Sequence, residues 1–300
     1  MKTNAIIRIV LFSLAIIILG GILLAGIGLK MYSFDFKNFT VSTGDGNGIR
    51  NGTISSQGSV PASQIRDIEI DWVAGSITII PDEAADEITF CEYGNDDPDH
   101  LMVWKQSGDT LSIQYEESRV YIGVQVTAES KDLVITVPAD WVCESLEIDT
   151  ASAEVEVSNL VINEVDFDGA SGICSFNNCT VLELDMDTAS GDITFFGSVN
   201  NVNISAMSAA CEMHLINTPN QIDLESMSGD MDLTLPENCG FTLSMDTMSG
   251  DFSSDFATTL QNGRHVCGDG SCRISISAMS GNICVYKCTD SSHHSDEHHH

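Results

Sequence analysis

Basic side chains are scarce in this chain: 12 Lys and Arg stand against 44 Asp and Glu among 300 residues, a formal charge of −32. Repulsion from phosphate excludes nucleic acid as a ligand and excludes docking on anionic lipid through a basic patch. Catalytic signatures are missing as well. No Gly-x-Ser-x-Gly elbow, His-Glu-x-x-His helix or phosphate-cradling glycine loop occurs, and His100, His214 and His265 are scattered. Only the stretch near His265 and Asp269 brings a nucleophile, a base and an acid close together in sequence. From Asp67 onward no convincing helical run is present. These absences point away from an enzyme and toward an all-β module.

Charge is also absent from Ile9 to Leu29, and here the absence is informative. At roughly 1.5 Å per residue this run crosses a hydrocarbon core of about 30 Å, so it reads as a transmembrane anchor in the lipid bilayer. A cleaved signal peptide is the competing reading, supported by Lys2 and Arg8, but its apolar core is ordinarily only about 7 to 15 residues long. The expected order is a cytoplasmic tail (1–8), the anchor (9–29), a flexible linker rich in Gly, Ser, Asn and Thr (30–66), and a domain outside the cell membrane.

What fills that domain is repetition. "DTASAEVEV", "DGASGICSF", "DTASGDITFF", "ESMSGDMDL", "DTMSGDFSS" and "SAMSGNICV" are variants of one turn. Aligned on Ser152, Ser171, Ser190, Ser208, Ser228, Ser249 and Ser280, with Ala74 marking an earlier copy, the period is near 20 residues and lengthens to 31 before the last. Six residues before that position every copy is apolar, from Ile68, Leu146 and Val165 to Leu243 and Ile274, and so is every copy four residues before it. Three and five residues after it the columns are apolar again, except at Ser254. Each copy is therefore two short strands with alternate residues inward, joined by a tight Ser-Gly turn. Stacked, they make an all-β solenoid of about eight two-strand rungs over residues 67–288, roughly 35 to 40 Å long. The column just before the serine, which shifts from Ala151 and Ala170 to Met207, Met227, Met248 and Met279, is read as adaptable core filling at a corner.

Two stretches break the period. Residues 82–148 contain several strand-like runs and are expected to be an insertion or cap at the first end. "TLQNGRHVCGDGS", before the last copy, is expected to project as a loop.

The repeated Asp-Thr-x-Ser-Gly-Asp-Ile turn, "ITVPADWVCESLEID" with its echo "LTLPENCGFTLSMD", and the single N-terminal anchor resemble the bacterial "putative adhesin" domain-of-unknown-function family of toast-rack β-solenoids. The resemblance covers roughly residues 67 to 288. It implies a surface-exposed solenoid of bacterial envelopes, sometimes tied to envelope-stress membrane modules, and brings no catalytic residues.

Three groups of side chains are candidates for chemistry. Among ten cysteines, Cys267 with Cys272 and Cys284 with Cys288, or crossed pairings of the four, are disulfide candidates, with a zinc site as rival. Cys174 and Cys211 share an inward column two rungs apart, too far for a bridge. Stacked acids form the second group: Asp149, Asp168, Asp187, Glu225 and Asp246 before the turn, Glu154, Asp192, Asp230 and Asp251 after it. They bind calcium between rungs or form a solvated edge that discourages aggregation; the glycine-rich nonapeptide of calcium-binding β-helices is absent. The third is the tail "SSHHSDEHHH", read as disordered or weakly metal-binding. The leading expectation is a non-catalytic, membrane-anchored surface module with a protein or glycan partner and no cofactor. An envelope-stress accessory coupled to a membrane partner comes second, and a polysaccharide-acting enzyme third.

Overall fold

The computed structural model describes residues 54–95, 97–116 and 130–288. The expected anchor and the His-rich tail lie outside the described residues. Among the described residues no helix is long and apolar enough to cross a membrane.

Among the described residues nineteen strands follow one another, with two 3-10 turns between them. The first six are β1 (Ile54–Pro61), β2 (Asp67–Asp82), β3 (Glu87–Tyr93), β4 (Val103–Ser107), β5 (Thr110–Gln114) and β6 (Lys131–Pro138). The middle of the chain gives β7 (Val142–Ser158), β8 (Val161–Gly169), β9 (Cys174–Ser190), β10 (Ile193–Ser208), β11 (Cys211–Leu215), β12 (Gln221–Ser228) and β13 (Met231–Pro236). The end gives β14 (Phe241–Ser249), β15 (Phe252–Ser254), β16 (Thr259–Gln261), β17 (Arg264–Cys267), β18 (Cys272–Ser280) and β19 (Ile283–Cys288).

Parallel pairing stacks these strands into two ladders, one before each turn and one after it. In the leading ladder the residues in register are Leu111, Ile68, Leu146, Val165, Leu184, Val202, Ile222, Ile274 and Leu243, in that spatial order. The trailing ladder runs Leu133, Ile77, Val155, Cys174, Ile193, Cys211, Met231, Ile283 and Phe252. All of these except Phe252 are buried in one continuous core. Phe176 and Phe195 stack across adjacent rungs with ring centroids 6.1 Å apart.

This order corrects the expected one at both ends. The stretch 82–148 hides a further rung, because β5 and β6 place Leu111, Ile113, Leu133 and Ile135 in the same four columns, fully buried. That rung stacks outside β2, so the first rung in sequence is the second in space. At the other end β18 and β19 slide between β12–β13 and β14–β15, so the last rung in sequence is the penultimate in space. The tips are covered by antiparallel strands, as open edges must be if they are not to recruit other chains. β4 and β3 cover β5 and β6, β1 extends β3, and β17, backed by β16, covers the start of β14. The expected projecting loop is thus part of a cap. The expected linker is shorter than 30–66, since β1 pairs with β3 and Val60, Ala62 and Ile65 are buried.

Beneath the first cap lies a charge pair taken wholly out of water, Lys131 with Glu92, at 3.4 Å. Lys131 also donates to the carbonyl oxygens of His100 and Tyr115, and Glu92 accepts the Met102 amide, so neither charge is left bare.

The turn explains its own sequence. Gly191 has φ of 115°, and a Cβ there would stand 1.7 Å from the carbonyl oxygen of Gly172 on the neighbouring rung. Glycine is needed because the next rung's backbone occupies the space. The serine hydroxyl also reaches across rungs: Ser190 donates to the Ala170 carbonyl at 3.3 Å and Ser171 to that of Ala151 at 3.2 Å. The corner column is shifted by one from expectation. Thr150, Gly169, Thr188, Ala206 and Ala278 point inward and are buried, whereas the neighbouring Met207, Met227 and Met279 are half-buried and Met248 is 58% exposed. Gly191→Ala should therefore lower stability by about 2 kcal/mol or more, through positive φ and backbone collision. Ser190→Ala should cost only about 1 kcal/mol. Thermal unfolding of the two variants checks the ranking.

Candidate functional site

In-register stacking acts on the outward residues as it does on the core. On the outward side of the leading ladder, β2 carries Asp67, Glu69 and Asp71, and β7 sets Ser145, Glu147 and the largely buried Asp149 beside them. Next come Glu164, Asp166 and Asp168 of β8, then Glu183, Asp185 and Asp187 of β9. Four neighbouring strands thus present three columns of carboxylate with one serine among them and no basic side chain in these segments. Rung spacing is about 4.8 Å, well inside a Debye length of about 8 Å at physiological salt, so neighbouring charges repel without effective screening.

The block ends at hydrogen-bond donors on both sides. On one flank Ser112 donates to Glu69 and Gln114 to Asp71, each at 2.8 Å. On the other, Asn201 donates to Glu183 at 2.6 Å and Asn203 to Asp185 at 2.8 Å, while Ser205 hydrogen-bonds Asp187. Neutral amides and hydroxyls take the places where a further stacked acid would stand.

Of the acids singled out from sequence, Asp149, Asp168 and Asp187 belong to this block. Asp246 does not: Ser205, Glu225 and Ser277 separate it from Asp187 along the column. The acids after the turn never meet, because backbone pairing places Ala210 between Asp192 and Asp230, and Asn282 between Asp230 and Asp251. Asn282 ties the latter two by its backbone, donating to Asp230 at 2.7 Å, and by its side chain, accepting the Asp251 amide at 3.2 Å. Sequence reading missed the columns led by Glu69 and Asp67. Their signal was the same alternation, two and four residues upstream of the column it did align.

The two pairs of cysteines that are neighbours in sequence are held apart. Cys267 and Cys272 flank Phe241 from opposite edges of β14, two strand spacings or about 10 Å apart, beyond the roughly 7 Å a disulfide spans. Cys284 and Cys288 are four residues apart on one extended strand, about 13 Å. Among the described residues no three His, Cys, Asp or Glu side chains converge as a metal site requires. His265 contacts the Thr258 hydroxyl at 3.2 Å and tilts against Phe252, and Asp269 accepts the Ser271 amide at 3.1 Å, so both serve local turns.

The sequence model of the Toastrack domain DUF4097 matches residues 65–286. The chain belongs to the Toastrack family. No curated protein matches it. Solved structures similar to this Toastrack chain include a "putative adhesin" from Bacteroides fragilis, with 13% identity, TM-score 0.47, and coverage of 77% of this chain and 96% of that one. Others are a "putative cell adhesion protein" from Clostridium sporogenes (11%, 0.39, 78% and 99%) and a "putative lipid binding protein" from Parabacteroides distasonis (15%, 0.40, 77% and 96%).

The Toastrack acid block leaves its mark on titration. Partial burial, then the charges of Glu147, Asp185, Asp149 and Asp187, push the Asp166 carboxyl above its ordinary range. Burial raises Asp187, against the Ser205 hydrogen bond, and burial with the Asp109 charge raises Asp67. A carboxyl raised in the folded chain keeps its proton at a pH where the unfolded chain has released it, so folding binds protons there. Stability from these groups grows as pH falls toward the ordinary carboxylate value of about 4 and is lost as pH rises through the raised values. The unfolding midpoint should thus be higher at pH 5 than at pH 7. Asp166→Asn should add up to about 1 kcal/mol at pH 7, allowing for solvent screening, and narrow that gap. Greater stability at pH 7 than at pH 5 in the unsubstituted protein contradicts this account.

Proposed function

We propose that this Toastrack domain is a non-catalytic, adhesin-like interaction module displayed on the cell surface, and that its acidic leading face receives a positively charged protein or glycan. The supporting observation is the block itself: carboxylates in register on four consecutive rungs, with Asp67, Asp166 and Asp187 raised above their ordinary range and no basic side chain in these segments. A surface kept merely for solubility needs dispersed charge, and concentrating it on one face adds self-repulsion. A cationic partner relieves that repulsion on contact, so part of its affinity is stored in the free protein. Display outside the cell rests on Ile9–Leu29 acting as the anchor. If the domain instead serves as an envelope-stress accessory, replacing Ile9–Leu29 with an unrelated span abolishes function; a surface module tolerates the exchange.

The face is tested with a Lys-rich peptide as probe. Binding should weaken steeply with salt. Asp149→Asn, Asp168→Asn and Asp187→Asn together should lower affinity about 10-fold or more, roughly 1.4 kcal/mol. The triple change at Asp192, Asp230 and Asp251 removes the same charge from the other ladder and should alter affinity by less than about twofold. Equal losses from both triples would show a response to net charge alone and sink the assignment of the face.

A further inference from the structure

The least buried rung is the outermost one, β14–β15, and three cysteines gather at its root. Leu243 is buried, but Met245 and Phe252 are only half-buried, Thr247 and Met248 are exposed, and Ser254 interrupts the core column. At the start of this rung the Cys272 amide donates to the Gly240 carbonyl at 2.9 Å, which draws β18 against the turn that carries Cys239. Cys239 and Cys272 are 2% and 0% exposed, on segments joined by that backbone hydrogen bond, and each thiol shifts the other's titration. Cys267 stands across Phe241 on β17.

We infer that Cys239 and Cys272 form a disulfide that staples the outermost rung to the inserted strand β18. The bond closes a loop holding β14, β15 and the capping hairpin β16–β17, the elements that would peel first. Such a bond offsets the weak burial of this tip by restricting the chain when it opens.

The chemistry balances with a low-molecular-weight disulfide as oxidant. The Cys239 thiolate attacks one sulfur of that disulfide and expels a thiolate. Cys272 then gives up its proton, attacks Cys239 in the mixed disulfide, and expels the second thiolate. Two protein thiols are oxidised and one small disulfide is reduced to two thiols. The two protein thiols can exchange roles in these steps without altering the balance. Because both sulfurs are covered, the exchange proceeds as the chain folds or when the tip opens.

The test refolds the full chain in glutathione buffer, caps remaining thiols, digests at acidic residues, and maps linked peptides by mass spectrometry. The expected result is a Cys239–Cys272 linkage, with a thermal midpoint several degrees above that of the reduced protein, reversed by reductant. Cys239→Ala with Cys272→Ala should remove both linkage and midpoint gain. If that double variant fails to fold, the linkage map of the unsubstituted chain decides. Full capping of both thiols, or linkage of either one to Cys267, overturns the inference.

Discussion

The register of most rungs depends on the contact between one rung's turn glycine and the next rung's carbonyl; at the equivalent place Ala153 and Ala209 carry a Cβ. With no Cβ at Gly172 or Gly191, the backbone of the adjacent rung enters the space a side chain would fill. That approach fixes the register on both sides of the turn. A slip of one residue would carry every inward side chain outward, and here it would also drive a Cβ into a carbonyl. The repeat is conserved within the chain because each copy must fit its neighbours.

Register has an electrostatic consequence that a looser fold would avoid. Side chains at equivalent positions are forced into columns, so acids repeated in sequence become acids stacked in space. The fold tolerates this over four rungs and then stops. Beyond β9 the columns change to Asn201, Asn203 and Ser205, and on the other flank they meet Ser112 and Gln114. Burial of the aliphatic columns beneath supplies the stability that the repulsion above removes, at roughly 25 cal/mol per Å² of apolar surface. The acid face is therefore affordable only on top of a continuous core.

Much of this was legible in the sequence. Period-two alternation around each turn serine identified the ladders, because burial on one side of a strand imposes it. The rung made by β5 and β6 escaped because no Ser-Gly pair occurs in the sequence between Gln114 and Lys131, where these strands end and begin. Spatial order escaped for a different reason: a parallel edge pairs with whichever strand completes it, and chain order does not reveal that choice. The adaptability of Met points to the methionine column as core. The inward corner position is one residue earlier, where Thr150, Gly169, Thr188 and Ala206 are small enough to fit. Cysteine spacing misled in the same way, since Cys267 and Cys272 are near in sequence but lie on opposite sides of Phe241.

The central claim is that the stacked carboxylates of β2, β7, β8 and β9 form the contact surface for a cationic partner. Amide hydrogen exchange of the protein with and without a saturating Lys-rich peptide tests it most directly. Added protection should be concentrated over residues 67–71, 145–149, 164–168 and 183–187. Protection confined to the trailing ladder, or to the tips, would contradict the account.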